Sequence, residues 1–178
     1  MSKNVKVLVY CAMCVALATV TSMIKLFSFP TGGSLTLCSM LFGALPGYFF
    51  GPVTGLCAGA AYGLLQFIME PYFLTPVQVL LDYGAFAVLG MCAGFFANKK
   101  NGLMVGYIAG CAGRWVCSFL SGWIFFGEYA WEGWGAAPYS AVYNVIYIGA
   151  EAVITVAILC VPAVKTAINK AKNAALEG

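Results

Sequence analysis

Residues 139–164 read YSAVYNVIYIGAEAVITVAILCVPAV, a long apolar run that contains a single charged side chain, Glu151. A helix needs about 20 predominantly apolar residues to cross the hydrocarbon core of a bilayer. A run of this length and polarity indicates a membrane-spanning helix rather than one face of a soluble domain. The stretch therefore predicts that at least part of the chain lies in lipid.

Five further apolar segments precede this run, at 5–27, 35–49, 53–69, 77–97 and 103–126. Pro, Gly and polar residues separate the segments, as expected where helices end. We therefore predict an all-α membrane protein, a compact bundle of six transmembrane helices that forms one domain over 1–178. The first segment begins with lysines, as a signal peptide does, but its apolar run continues too far for a cleaved signal. We interpret it as an uncleaved first helix.

The composition of the 178-residue chain agrees with a membrane location, because 62% of the residues are hydrophobic and only 8% are charged. A soluble domain carries about 25% charged residues, so a soluble enzyme and a nucleic-acid-binding domain are both excluded. The chain has no His, and we expect neither a metal site nor a cofactor. Its eight Cys lie mostly inside apolar runs, which is typical of small packing residues rather than of a disulfide framework.

The basic residues are distributed unevenly between the two sides of a six-helix arrangement. Seven of the nine fall on one side: Lys3, Lys6, Lys99, Lys100, Lys165, Lys170 and Lys172. Cytoplasmic loops of membrane proteins carry an excess of Lys and Arg. We therefore expect both termini to be cytoplasmic, and the aromatic-rich opposite ends of the helices to face outward.

Glycines recur every four residues at positions 43, 47, 51, 55, 59 and 63. Small residues at this spacing allow helices to approach closely in lipid. The break at Gly51-Pro52 predicts two consecutive helices rather than one. The glycine faces are interpreted either as internal packing of the bundle or as a surface for a partner.

Three charged residues lie inside predicted spans and away from their ends: Asp82, Arg114 and Glu151. Lys6 and Lys25 lie near the two ends of the first span. An ionisable group within the membrane is costly and by default indicates a functional site. Counting along the helices places Arg114 and Glu151 near the middle of the membrane, and we predict that they form a buried structural ion pair. Asp82 then lies unpaired nearer the outer surface. A carboxylate among aromatic rings suits a flat, cationic ligand.

The chain lacks the features of a transporter that works alone. It contains no GxxxxGK[ST] run for binding a nucleotide, and it shows no inverted repeat. A binding subunit that receives its energy from other proteins fits both observations.

The aromatic and polar residues of the outer ends are concentrated in five motifs. They are GGSLTL at 32–37, YFLTPVQVLLDY at 72–83, Ser121-Gly122, YAWEGWG at 129–135 and YSAVYN at 139–144. Together these motifs resemble the thiamine-binding S components of energy-coupling factor (ECF) transporters. The resemblance implies a non-enzymatic, multi-pass protein of the bacterial cell membrane, with six helices that hold thiamine near the outer surface and no cofactor.

The resemblance also implies ligand contacts at individual positions of this chain. Asp82 would face the aminopyrimidine or the charged thiazolium ring, and Tyr83 completes the acid–Tyr pair of the family. Tyr72 corresponds to the tyrosine ten residues before that acid. Tyr139 and Asn144 correspond to the tyrosine and asparagine of the last-helix motif, where the amide would be a hydrogen-bond partner for the ligand.

Further positions follow from the same resemblance, with two departures. Trp131 would be part of a lid over the ligand. Some family members carry a ligand-contacting His where this chain has Ser118, and a Trp where it has Phe126. The second change keeps an aromatic ring, whereas the first removes a hydrogen-bonding one and leaves the ligand preference open.

The resemblance implies three protein partners in addition to lipid. S components dock on a membrane-embedded T component through small residues of the first helix, and Ala12 and Ala16 fit that pattern. Two cytoplasmic ATPases would supply the energy. We keep three alternatives: an S component for a thiamine precursor or another planar vitamin, a membrane enzyme that uses Asp82 and Glu151 as acid and base, and a packing protein without a ligand.

Overall fold

The computed structural model describes residues 2–29 and 32–177. Its helices are α1 Lys3–Met23, α2 Ser39–Phe50, α3 Pro52–Met69, α4 Pro76–Phe95, α5 Gly102–Phe125, α6 Ala136–Leu159 and α7 Pro162–Leu176. Two short antiparallel strands, β1 (Lys25–Ser28) and β2 (Ser34–Thr36), lie between α1 and α2. A single 3-10 turn, Gly127–Tyr129, follows α5.

Within the described residues, five helices are long and apolar enough to cross a membrane: α1, α3, α4, α5 and α6. The prediction of an all-α, multi-pass membrane protein is therefore confirmed. Helix α2 contains 12 residues, which gives it a length of about 18 Å. That length is shorter than the ~30 Å hydrocarbon core, so the second predicted span is a half-length helix.

The first predicted span, 5–27, is wrong at its carboxyl end. Helix α1 ends at Met23, and the chain continues as strand β1. The hydroxyls of Thr21 and Ser22 donate to backbone carbonyls of their own last turn, a pattern that competes with regular helix propagation. The apolar residues Leu26 and Phe27 extended the predicted span because a short apolar run does not distinguish a helix from a strand.

The last predicted span, 139–164, is also interrupted. Helix α6 ends at Leu159, and α7 begins at Pro162. Proline has no backbone N–H and disfavours a helical conformation in the residue before it. Val161 is accordingly extended, with φ −71° and ψ 117°.

Helix α7 is hydrogen-bonded to the α4–α5 connection at one end of the bundle. Lys172 Nζ donates to the carbonyl of Ala97 at 2.5 Å, and Lys165 Nζ donates to Asn101 Oδ1 at 3.3 Å. Lys6 of α1 donates to the backbone carbonyl of Glu177. The start of α1, the α4–α5 connection and α7 therefore meet at the same end, which we call the terminal end.

Helices α3 and α4 contact each other through their backbones. A Cβ added to Gly59 would lie 2.2 Å from the carbonyl oxygen of Phe86, and one added to Gly55 would lie 2.2 Å from that of Gly90. Gly63 meets Tyr83 in the same way at 2.1 Å. These glycines are covered by α4, so the internal-packing interpretation holds for them and the partner-surface interpretation does not.

Candidate ligand-binding site

A cavity of about 600 Å³ opens at the end of the bundle opposite the terminal end. The β-hairpin, the α3–α4 connection, the 3-10 turn and the adjoining parts of α4, α5 and α6 enclose it. Seven of the residues singled out in the sequence line this single cavity: Tyr72, Asp82, Tyr83, Ser118, Phe126, Tyr139 and Asn144.

Trp131 does not line the cavity itself but packs against a residue that does. Its ring is edge-on to Tyr139, with centroids 5.2 Å apart, and also edge-on to Trp134 at 5.1 Å. Tyr139 itself lines the cavity and is almost completely buried. Trp131 therefore contacts the cavity wall through Tyr139.

Asp82 lies on α4, where its carboxylate faces the cavity. Gln78, one helical turn earlier, donates a hydrogen bond from Nε2 to Asp82 Oδ2. The expectation that Asp82 is unpaired is therefore wrong. The residue that pairs with it is a neutral amide, so this hydrogen bond does not neutralise an ionised Asp82.

The predicted ion pair between Arg114 and Glu151 is absent, because the carboxylate of Glu151 is bound elsewhere. It accepts hydrogen bonds from Thr36 Oγ1 at 2.7 Å, Ser39 Oγ at 3.2 Å and the backbone N–H of Met40 at 2.9 Å. The first turn of α2 supplies these last two donors. The positive end of a helix dipole and its unpaired N–H groups stabilise a carboxylate, which is the physical reason that Glu151 needs no guanidinium.

Arg114 lines the same cavity and forms no ion pair with a carboxylate of the described residues. Its guanidinium carbon lies 4.2 Å from the centre of the Phe86 ring, a cation–π contact. Its buried Nε has no hydrogen-bond partner among the described residues. Within those residues the ion pair is instead Lys25 with Glu70, which joins β1 to the α3–α4 connection at the cavity mouth.

Aromatic rings form the outer part of the cavity wall. Tyr72 stacks on Phe126, and Tyr139 lies 5.4 Å from Tyr143 in a tilted arrangement. Desolvation raises the pKa of the Tyr72 hydroxyl, and the neighbouring Tyr129 and Asp82 raise it further. Tyr72 is therefore a protonated hydrogen-bond donor at neutral pH.

The hydroxyl of Tyr83 holds the α3–α4 connection in place. It accepts a hydrogen bond from the backbone N–H of Tyr72 at 3.1 Å and donates one to the carbonyl of Glu70 at 2.7 Å. Its ring is edge-on to Phe67, with centroids 5.0 Å apart. The only proton of this hydroxyl is thus used within the protein, so Tyr83 can offer a ligand its ring but no hydrogen-bond donor.

Asn144 connects α6 to α5. Its Nδ2 donates to the carbonyls of Ser140 at 2.8 Å and Ser118 at 3.3 Å, while its Oδ1 accepts from the Tyr147 hydroxyl at 2.7 Å. The side chain of Ser118 is itself buried in the wall. These bonds fix the amide in one orientation.

Several cavity residues were not singled out in the sequence as ligand contacts. They include Arg114, Gly122, Ser140, Tyr147 and Glu151. The spacing of Ser140, Asn144, Tyr147 and Glu151 places them on one face of α6, so helical periodicity was an available signal. Gly122 is needed there because a Cβ would lie 2.2 Å from Ser140 Oγ.

Ala12 and Ala16 are exposed on α1, whereas Cys14 and Ala18 on its other face are buried against the bundle. The small residues therefore face away from the cavity and the core. Large apolar side chains flank them, including Met13 and Leu17.

The similarity of the chain to known proteins covers most of its length. A sequence model of the family described as thiamine transporter protein matches residues 8–170. This chain belongs to that family. The thiamine transporter ThiT of Bacillus subtilis is 31% identical over 176 residues, which cover 89% of this chain and 91% of the relative. Membership of the thiamine transporter family and the five apolar helices together establish a multi-pass integral membrane protein.

The fold is also that of a thiamine transporter family member of known structure. The structure of ThiT from Listeria monocytogenes superposes with a TM-score of 0.73 at 27% sequence identity, covering 89% of this chain and 94% of the other. A second sequence match, to a probable arabinosyltransferase A of Mycolicibacterium smegmatis, is 33% identical over 116 residues but covers only 10% of that protein. It is too local to indicate a shared function.

Proposed function

We propose that this chain is the S component of an ECF-type ABC importer. It captures thiamine at the outer face of a bacterial cell membrane, and partner subunits that hydrolyse ATP drive delivery to the inside. The observation that carries the proposal is the pairing of the Asp82 carboxylate with the stacked rings of Tyr72 and Phe126 in one cavity. Membership of the thiamine transporter family supports the same ligand.

The chemistry of the cavity suits thiamine, which has two flat rings and one fixed positive charge. Aromatic faces attract cations and stack on planar rings. A carboxylate that attracts a cation acts more strongly inside a protein than in water, because the local dielectric constant is lower. A ligand cavity encloses about 300–1,000 Å³ in most proteins, and the volume found here lies within that range.

The distribution of charge supports an orientation of the chain in the membrane that suits an importer. The lysines that stabilise the terminal end, Lys6, Lys165 and Lys172, are on the side opposite the cavity. The positive-inside rule assigns the terminal end to the cytoplasm. The cavity then opens to the outside, where an importer must collect its substrate.

The energy for transport comes from partners in this proposal. Ala12 and Ala16 form an exposed small-residue patch on α1, and small residues allow another helix to approach closely in lipid. We assign this patch to the docking of a membrane-embedded T component, which would carry the two cytoplasmic ATPases.

Two alternatives make different use of the same residues. An S component for a thiamine precursor is favoured by Ser118, which offers a small hydroxyl where some family members have a His ring. An enzyme is disfavoured, because Glu151 already accepts three hydrogen bonds and is buried at 2% exposure, which leaves it poorly suited to proton transfer.

The deciding experiment is a titration of the detergent-purified protein with thiamine, followed by tryptophan fluorescence and by calorimetry. Saturable binding of thiamine, with no response to riboflavin or biotin, would support the proposal. The separate aminopyrimidine and thiazole halves test the precursor alternative. A folded protein that binds a half-molecule more tightly than thiamine would contradict the thiamine assignment, and one that binds none of these compounds would contradict the binding function.

A further inference from the structure

Gln78 is completely buried, with 0% of its surface exposed. It is a polar side chain one helical turn before Asp82 and close to the cavity, and no ligand contact is assigned to it. A buried amide must satisfy both of its ends, since an unpaired buried polar group destabilises the folded state. The two hydrogen-bond partners of the Gln78 side chain therefore indicate its role.

The orientation of the Gln78 amide is fixed by a backbone group. Its Oε1 accepts a hydrogen bond from the N–H of Leu74 at 3.1 Å. A backbone N–H can only donate, so the oxygen of the amide must face Leu74 and the NH₂ group must face Asp82. The amide therefore donates to Asp82 Oδ2 and cannot exchange its two ends without losing both bonds.

The backbone of Gln78 is also bonded to the start of its own helix. Thr75 is the N-cap of α4, and its hydroxyl oxygen accepts a hydrogen bond from the backbone N–H of Gln78 at 3.1 Å. Leu74 belongs to the α3–α4 connection, which also carries Tyr72 and is bound to α4 a second time through the Tyr83 hydroxyl. Gln78 thus connects the segment that presents Tyr72 to the carboxylate that faces the cavity.

We propose that Gln78 is a positioning residue, which holds the Asp82 carboxylate in the orientation that meets a cationic ligand and couples it to the Tyr72-bearing connection. The inference rests on the proposed function, because it assumes that Asp82 contacts the ligand. The donated hydrogen bond limits rotation of the carboxylate. A donor that is already oriented before the ligand arrives lowers the cost of ordering the site on binding.

The test is a double-mutant cycle on thiamine affinity in detergent. Gln78→Met keeps the length and approximate volume of the side chain but removes both hydrogen bonds. We expect it to weaken binding about tenfold, the equivalent of 1.4 kcal/mol. In an Asp82→Ala background the same change should weaken binding less than about twofold, because residues that act through one another are not additive.

Gln66→Met is the matched control. Gln66 is a partly buried glutamine on α3 that borders the same cavity, but its Nε2 donates to Ser22 Oγ at 2.8 Å rather than to Asp82. Gln66→Met should change thiamine affinity by the same factor in the parent protein and in the Asp82→Ala variant. The melting temperatures of the ligand-free variants show whether each protein is folded.

The outcomes separate the two hypotheses. Equal effects of Gln78→Met in both backgrounds, or unchanged affinity, would overturn the positioning role while thiamine binding by the parent protein stands. A parent protein that does not bind thiamine would overturn the proposed function, and the inference with it. If Gln78→Met does not fold, Gln78→Asn replaces it in the cycle, since its amide is uncharged but is one methylene too short to bond both the Leu74 N–H and Asp82.

Discussion

Tyr72 stacks on Phe126 with ring centroids 5.6 Å apart and ring planes inclined by 29°. The first ring belongs to the α3–α4 connection and the second follows the last residue of α5. The pair therefore bridges two separate parts of the cavity wall at the cavity mouth. A planar ligand can extend this stack or insert into it.

Phe126 should contribute to affinity through its aromatic face. We expect Phe126→Ala to weaken thiamine binding about fivefold, because an aromatic pair contributes about 0.5–1.5 kcal/mol beyond the area that it buries. Phe126→Trp should bind at least as well as the parent, since a larger ring preserves the stack. Calorimetric titration measures both. Equal affinities of the Ala variant and the parent would remove Phe126 from the site.

Asp82 should provide the main charge contact. We expect Asp82→Asn to weaken thiamine binding about 100-fold, because truncating one member of a buried charge pair costs about 2–5 kcal/mol. The protein should remain folded, since an amide of the same shape replaces the carboxylate. Glu70→Gln is the control carboxylate, at an exposed position of the mouth, and should change affinity less. Similar losses for both variants would point to a general electrostatic effect instead of a contact.

Ala12 and Ala16 should affect transport without affecting binding. Leucine at both positions should abolish thiamine uptake by cells, because the larger side chains prevent close approach of a partner helix. The purified variant should bind thiamine as the parent does. Ala61→Leu, on the exposed face of α3, is the matched control and should leave uptake intact. Loss of binding in the double variant would indicate a packing defect.

Gly59 should be required for stability. A Cβ at this position would lie 2.2 Å from a backbone oxygen of α4, so Gly59→Ala should lower the free energy of unfolding by about 1–3 kcal/mol. Thermal unfolding in detergent measures the change. Gly84→Ala is the control, since its Cβ would meet only a Leu80 side chain at 3.6 Å. Comparable stability of the two variants would contradict the close contact of α3 and α4.

Glu151 should be required for folding rather than for turnover or charge recognition. Glu151→Gln keeps one oxygen that can accept from Ser39 and the Met40 N–H, but it places an NH₂ group against the Thr36 hydroxyl, which must turn to accept. We expect a loss of about 1–3 kcal/mol in stability, because the hydrogen bonds to a charged carboxylate are replaced by weaker neutral ones. Thermal unfolding checks this. An unchanged melting temperature combined with lost binding would make Glu151 a ligand contact instead.

Hydropathy was sufficient to predict the long helices, because the bilayer requires about 20 apolar residues in succession. It was insufficient for the segment after Met23. Leu26 and Phe27 lie in the exposed strand β1, where the ring of Phe27 is edge-on to Phe29 with centroids 4.8 Å apart. A hydropathy pattern shows that a residue is apolar, but not which backbone conformation it adopts.

Seven lining residues of the candidate cavity could be predicted from the sequence. The hydrogen-bond partners of the charged residues inside it were not predicted. Counting residues along a helix gives depth, and it placed Arg114 and Glu151 at similar levels. It does not give the position of a neighbouring helix end, and the start of α2 is what binds Glu151. The Gln78–Asp82 contact was accessible, since residues four apart on a helix are neighbours.

The contact between the backbones of α3 and α4 fixes the place of Asp82. No side chain separates the two helices at Gly55, Gly59 and Gly63, so a slide or tilt of one helix against the other would break the interface. Asp82 lies on α4 beside this contact, and its carboxylate is therefore presented to the cavity from a preorganised stretch of backbone.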